Sequence, residues 1–159
     1  MKSRALTRGG TIAAASADTW GTEIGTRFGT NVRSILTLRR EADGLSGGIT
    51  TTGTMAEIAG AFVVAASAAL FSLAPLLAGT LGGIVGAFAD SYLGASLQER
   101  RYCAACARAC ESDPHACGNA TQLVRGVRGF RNDAVNLCAT LVGALTGLAL
   151  FAFAPRYFP

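Results

Sequence analysis

Between Ile58 and Leu97 the chain carries a single charged residue, Asp90, in a run that is otherwise apolar or small. A bilayer core takes roughly 20 apolar helical residues to cross, so this run is long enough to cross twice. In lipid every backbone polar group must find its partner inside the protein, which leaves helices and closed barrels as the spanning forms. Pro75 divides the run, because proline ends a helix and restricts the residue before it. A third apolar run, from Ala134 to Phe153, meets no charge until Arg156. These lengths predict an all-α integral membrane helical bundle with about three transmembrane helices, at 55–74, 77–98 and 134–154. Residues 1–54 are expected to form a polar, Gly- and Thr-rich motif segment. Residues 99–132 form a Cys- and Arg-rich loop, and the whole reads as one membrane domain.

Composition agrees with lipid as the solvent. The chain is 50% hydrophobic and only 15% charged, against roughly 25% charged in soluble domains. Its many glycines and alanines let membrane helices approach closely. The net charge of +4 does not indicate nucleic acid, because the basic residues flank the apolar runs and form no patch interleaved with aromatics. No secretory signal peptide is expected, since the apolar part of Gly9 to Ala17 is weak and runs into Asp18-Thr19-Trp20. Seven Lys/Arg precede the first span and six lie in the loop, with Arg156 alone beyond the third. The positive-inside rule puts the motif segment and the loop in the cytoplasm of a multi-pass cell-membrane protein. An odd number of spans and a small apolar payload suggest an incomplete bundle: either a fragment, or a chain that needs partner helices or further copies of itself.

A carboxylate at membrane depth costs roughly 2.5–3.5 kcal/mol on insertion scales. It persists where it faces protein or a watery cavity. Helical spacing puts Gly82, Gly86, Asp90, Gly94 and Gln98 on one slowly drifting stripe, and Gly82 to Gly86 is a G-x-x-x-G helix-contact pattern. Asp133, Asn136, Thr140, Gly143 and Gly147 follow a similar spacing on the third span, and Gly53, Glu57 and Gly60 do so faintly on the first. Such groups can act simply as hydrogen-bonding glue between helices. Three converging aspartates, Asp18, Asp90 and Asp133, repel one another unless a cation joins them, and carboxylate oxygens are natural ligands of Mg²⁺.

Gly44 to Thr54 reads G-L-S-G-G-I-T-T-T-G-T ahead of a helix. Backbone N–H groups freed by glycine, hydroxyls and a helix N-terminus suit a phosphate. No G-K-S/T follows, so this is not a P-loop, and a flexible loop leading into the membrane reads equally well. The loop carries Cys103-x-x-Cys106, Cys110 and His115-x-Cys117. Cys103, Cys106 and Cys117, with His115 or Cys110, supply a tetrahedral Zn²⁺ site. Free thiols and disulfides stay open as alternatives, disulfides being disfavoured in a reducing cytoplasm. Cys138 reads as a small packing residue in the third span.

Four strings now stand in order: Ala17-Asp18-Thr19-Trp20 with Glu23-Ile24-Gly25; Ser46-Gly47-Gly48-Ile49-Thr50 with Gly53-Thr54; Asp90-Ser91-Tyr92-Leu93-Gly94-Ala95-Ser96-Leu97-Gln98; and Asn132-Asp133-Ala134-Val135-Asn136. Together they resemble the transmembrane protein 19 family, also called domain-of-unknown-function family 92, over about Ala17 to Pro155. That family includes phytyl-phosphate kinases and looks distantly related to membrane cytidylyltransferases and polyprenol kinases that use CTP. The resemblance implies a Mg²⁺-dependent kinase of an isoprenyl or phytyl phosphate, using CTP or another nucleotide. Asp18, Asp90 and Asp133 would be catalytic and hold the metal. Ser46, Gly47, Gly48, Asn132 and Asn136 would lie against phosphates or nucleotide. Arg33 and Arg39 would offset charge during phosphoryl transfer. Bacterial members often carry a cysteine-rich loop here, which suits a structural zinc. The alternative is a non-catalytic or truncated member with a structural or assembly role. The family usually has further spans before the A-D-T-W string, a Pro-x-Gly-Thr stretch before S-G-G where this chain has Asp43-Gly44-Leu45, and an acidic residue where this chain has Arg131.

Overall fold

The computed structural model describes residues 2–153, with side chains from residue 11 onward. Arg156 and the last residue of the expected third span lie outside the described residues. Four long helices carry the structure: α1 (Lys2–Phe28), α2 (Thr51–Leu70), α3 (Leu76–Ser96) and α4 (Asn132–Phe153). The last three are long and apolar enough to cross a membrane, within a few residues of the expected spans. α1 is not among them, yet it packs against all three.

The expected polar segment therefore begins with a helix at the centre of the bundle. Its inward face is made of Ala13, Ala14, Ala17, Gly21 and Gly25, all buried. Residues this small add little hydropathy, so the periodicity is weak on any apolar scale. They nevertheless let two backbones come together. A Cβ at Gly25 would stand 3.0 Å from the Gly53 Cα of α2. One at Gly83 would stand 3.0 Å from the Ala13 Cβ and 2.8 Å from the Ala61 Cβ.

The interior is almost wholly alanine and glycine, while Phe62, Leu70, Phe71, Leu77, Leu137, Leu145 and Phe153 are exposed. Large apolar groups outside and small ones inside invert the soluble pattern. Lipid is as apolar as leucine, so helix association rests on close packing, and the bulky groups face the solvent that suits them.

Local chemistry sets the helix ends. Thr50 caps α2, its Oγ1 accepting from the Gly53 N–H at 2.9 Å. Pro75 stands at the N-cap of α3 after a short turn through Ser72. At the other end of the bundle two longer connections carry small sheets. β1 (Arg33–Ser34) and β2 (Gly48–Ile49) pair antiparallel between α1 and α2. β3 (Arg100–Cys103), β4 (Arg108–Cys110) and β5 (Gln122–Arg125) form an antiparallel sheet in the order β4-β3-β5 between α3 and α4. The Cys-rich loop is thus a folded unit on a helical bundle.

Candidate functional site

Three cavities lie toward the end of the bundle that carries the long connections, two of them sharing Asn132. The Gly-rich cavity, about 190 Å³, is lined by the α1 face Gly21, Thr22, Gly25 and Thr26, the segment Asp43 to Thr50, the first turn of α2 with Glu57, and Ser91 and Asn132. Small residues create this space, and a Cβ at Gly21 would stand 2.6 Å from the Glu57 Oε1. Gly47 lies against α3, its φ of 81° in the left-handed region and the Ala95 backbone close behind it.

The carboxylate cavity, about 100 Å³, lies deeper, where α1, α3 and α4 meet. Asp18, Thr19, Asp90, Asn136 and Thr140 supply its polar groups, and Ala14, Ala15, Gly86 and Ala139 its small walls. The Asp18 and Asp90 carboxyls stand close enough to interact directly. Two ionised carboxylates this close repel each other, and a cation between them would relieve that repulsion. Glu57 is close enough to both for electrostatic coupling. The Glu57 Oε2 and Asp90 Oδ1 oxygens are buried with no hydrogen-bond partner. Glu57 thus lines the Gly-rich cavity and couples electrostatically to the carboxyls of the other, and unsatisfied carboxylate oxygens of this kind suit a hard cation.

Asp133 is elsewhere. It is exposed and lines a third cavity, about 300 Å³, with Gln98, Glu99, Glu111, Arg131 and Asn132. On α4 the row that faces the site is Asn132, Asn136 and Thr140, four residues apart, and Asp133 is turned from it by about 100°. Arg33 and Arg39 are exposed on the outer hairpin and line none of these cavities. The Arg33 guanidinium donates to the Leu38 carbonyl at 2.8 Å and braces the turn. Ser46, Gly47, Gly48 and Asn132 line the Gly-rich cavity, and Asn136 the carboxylate cavity.

Glu57 had a signal in the sequence, its place on the Gly53-Gly60 face, but that face was too faint to mark it as a site residue. Glu111 had none. Its carboxylate accepts from the Ser46 N–H at 2.7 Å, the Ser46 Oγ at 2.7 Å and the Gln98 Nε2 at 2.8 Å. The Arg100 Nη2 donates to the Ser46 carbonyl at 3.1 Å, while Nη1 pairs with Glu41.

At the tip of the β3–β4 hairpin, Cys103, Cys106, His115 and Cys117 present ligand atoms all within 4.8 Å of one another. A tetrahedral zinc with thiolates at 2.3 Å has S···S edges of about 3.8 Å and N···S edges of about 3.6 Å. The Cys103–Cys117 separation is 3.7 Å, and the His115 Nδ1 stands 3.5 Å from Cys106 and 3.1 Å from Cys117. The group can bind a metal such as zinc. His115, not Cys110, is the fourth member of this group, because Cys110 turns its Sγ to the Ser112 carbonyl. The Asn119 amide, and then His115, hold the Cys117 thiol down to about 5. Its hydrogen bond to Cys117, with burial next, pushes Cys106 up to about 11.

A family model described as integral membrane protein DUF92 matches residues 3–144. The chain is 33% identical over 142 residues to the uncharacterized membrane protein MJ0933 of Methanocaldococcus jannaschii, covering 88% of this chain and 48% of that protein. It is 27% identical over 155 residues to Protein PGR of Arabidopsis thaliana, covering 88% of this chain and 52% of that protein. The chain thus spans about half the length of these curated relatives. No solved structure matches it.

Proposed function

The chain belongs to the integral membrane family DUF92, and from that premise we propose a Mg²⁺-dependent phosphotransferase acting on an isoprenyl or phytyl phosphate, with CTP or another nucleotide as donor. One observation carries the reading: a Gly- and Thr-lined cavity with Glu57 in its wall lies near a second cavity that holds Asp18 and Asp90, and Glu57 is electrostatically coupled to that pair. Among the described residues no Lys or Arg lines the Gly-rich cavity. A phosphate held there needs its charge balanced, and a cation on the carboxyls does that for both parties. Bound there, Mg²⁺ would neutralise charge on the transferring group. At about 190 Å³ the cavity falls below the roughly 300–1,000 Å³ of a whole small-molecule pocket. It suits the phosphate end of a nucleotide, with the lipid tail in the bilayer. Ser46, Gly47 and Gly48 lie against the phosphates in this reading, Asn132 and Asn136 flank them, and Asp133 stands outside the metal set. The basic connections face the cytoplasm by the positive-inside rule.

The Cys103, Cys106, His115 and Cys117 group holds a structural zinc. A non-catalytic role in assembly is the second reading, favoured by the Ser46 donors being occupied by Glu111. The assay is phosphate transfer to an isoprenyl monophosphate by the purified chain in nanodiscs with Mg²⁺, across the nucleotides. Transfer is expected to disappear in Asp90→Asn. A folded, zinc-loaded sample that turns over no nucleotide refutes the enzyme reading, and an Asp90→Asn variant altered only in association favours the second.

A further inference from the structure

We propose that the Glu111 carboxylate occupies an oxyanion-binding position built by Ser46 and Gln98, and that the Cys/His metal centre holds it there. Three donors converge on this carboxylate: the Ser46 N–H, the Ser46 hydroxyl and the Gln98 amide, at 2.7, 2.7 and 2.8 Å. A backbone N–H, a hydroxyl and an amide on one pair of oxygens are what a phosphate oxygen edge would take. Burial and one backbone contact limit how far these donors can move. Gln98 is 4% exposed at the end of α3, and Arg100, 8% exposed, holds the Ser46 carbonyl. The Arg100 Nε donor is buried without a partner, so the surroundings keep donor capacity that Glu111 does not satisfy.

Position gives the contact its meaning. Ser46 lines the Gly-rich cavity, Glu111 lines the third cavity, and Asn132 lines both. The Glu111–Ser46 bonds therefore stand between the two spaces, and a phosphoryl ligand that displaced Glu111 would reach from one into the other. The carboxylate is an internal stand-in for that ligand.

The metal enters through chain topology, and this part rests on the reading that the Cys/His group binds zinc. Cys103 and Cys106 lie before Glu111, and His115 and Cys117 after it. A bound metal closes the chain into a loop with Glu111 inside it. Metal binding to such small units is coupled to their folding, and releasing the closure returns conformational freedom to the segment that carries Glu111. Loss of metal thus frees the oxyanion position.

Hydrogen exchange at the Ser46 amide, in the full chain in phosphatidylcholine nanodiscs with zinc loaded, tests both parts. Glu111→Ala should speed exchange there by about 10- to 100-fold, as expected for loss of a charge-assisted hydrogen bond, with zinc content unchanged. Chelating zinc from the unaltered protein should do the same. In Glu111→Ala, protection should return with inorganic phosphate in one arm or with phosphatidic acid in the nanodisc in another, which identifies a soluble or a lipid source. If Glu111→Ala loses zinc, Glu111→Gln replaces it, keeping the shape without the charge. Unchanged exchange in the zinc-bound variant, or no return of protection in either arm, overturns the proposal while leaving the zinc reading intact. An unaltered protein that takes up no zinc overturns both.

Discussion

Gly44 and Gly47 form a controlled pair for testing how the motif loop is held. Both have φ of 81°, so an alanine at either carries the same left-handed strain, about 1–3 kcal/mol. Their surroundings differ. A Cβ at Gly44 meets nothing within 4 Å, whereas one at Gly47 would stand 2.5 Å from the Ala95 N and 2.6 Å from the Ala95 Cα. Those are backbone atoms of α3 and cannot rotate away. Overpacking of this kind adds about 1–3 kcal/mol. At about 2–4 °C per kcal/mol for a chain of this size, Gly47→Ala should melt roughly 2–12 °C below Gly44→Ala. Trp20, the sole tryptophan, lies against Gly60 on α2 and reports unfolding by fluorescence in a single detergent. Equal midpoints for the two variants would refute the close approach of the loop to α3.

Three further outcomes follow from other contacts. Cys103→Ser and Cys117→Ser should abolish zinc uptake measured by elemental analysis, while Cys110→Ser, whose thiol faces the Ser112 carbonyl, should retain it. The Gly129 N–H, and then Arg101, hold the Glu99 carboxyl below its ordinary 4.5. A carboxyl lowered in the folded state stabilises it above that value and loses the contribution as pH falls through the folded value. The melting temperature should therefore drop in acid below about pH 4.5, and Glu99→Gln should weaken that acid dependence; an unchanged acid limb excludes this role. Thr50→Ala removes the α2 cap and should cost about 1 kcal/mol, read as faster amide exchange at Gly53.

What could be read along the chain and what could not divide by physical cause. The three spanning helices were legible because hydropathy is a property of consecutive residues. α1 was hidden because Ala13, Ala17, Gly21 and Gly25 carry little hydropathy, although their size is what the packing uses. Asp90 and Asp18 were visible as carboxyls beside small-residue stripes. Glu57 was only faintly so, and Asp133 was drawn into their company by a spacing that α4 turns elsewhere. Glu111 had no local pattern at all, since its partners lie far away in sequence at Ser46 and nearer at Gln98.

Sequence alone determined that this chain is a membrane protein, where its apolar helices lie, and that its loop holds thiols at metal-ligand spacing. It could do so because lipid solvation and ligand valence act on residue type and short spacing. The tertiary structure decided that α1 packs among the spans and that His115 completes the Cys group in place of Cys110. It also decided that Glu57 meets Asp18 and Asp90, and that Glu111 closes on Ser46. These pairings are set by where Gly and Ala faces let helices and loops touch, and that geometry exists only once the chain has packed.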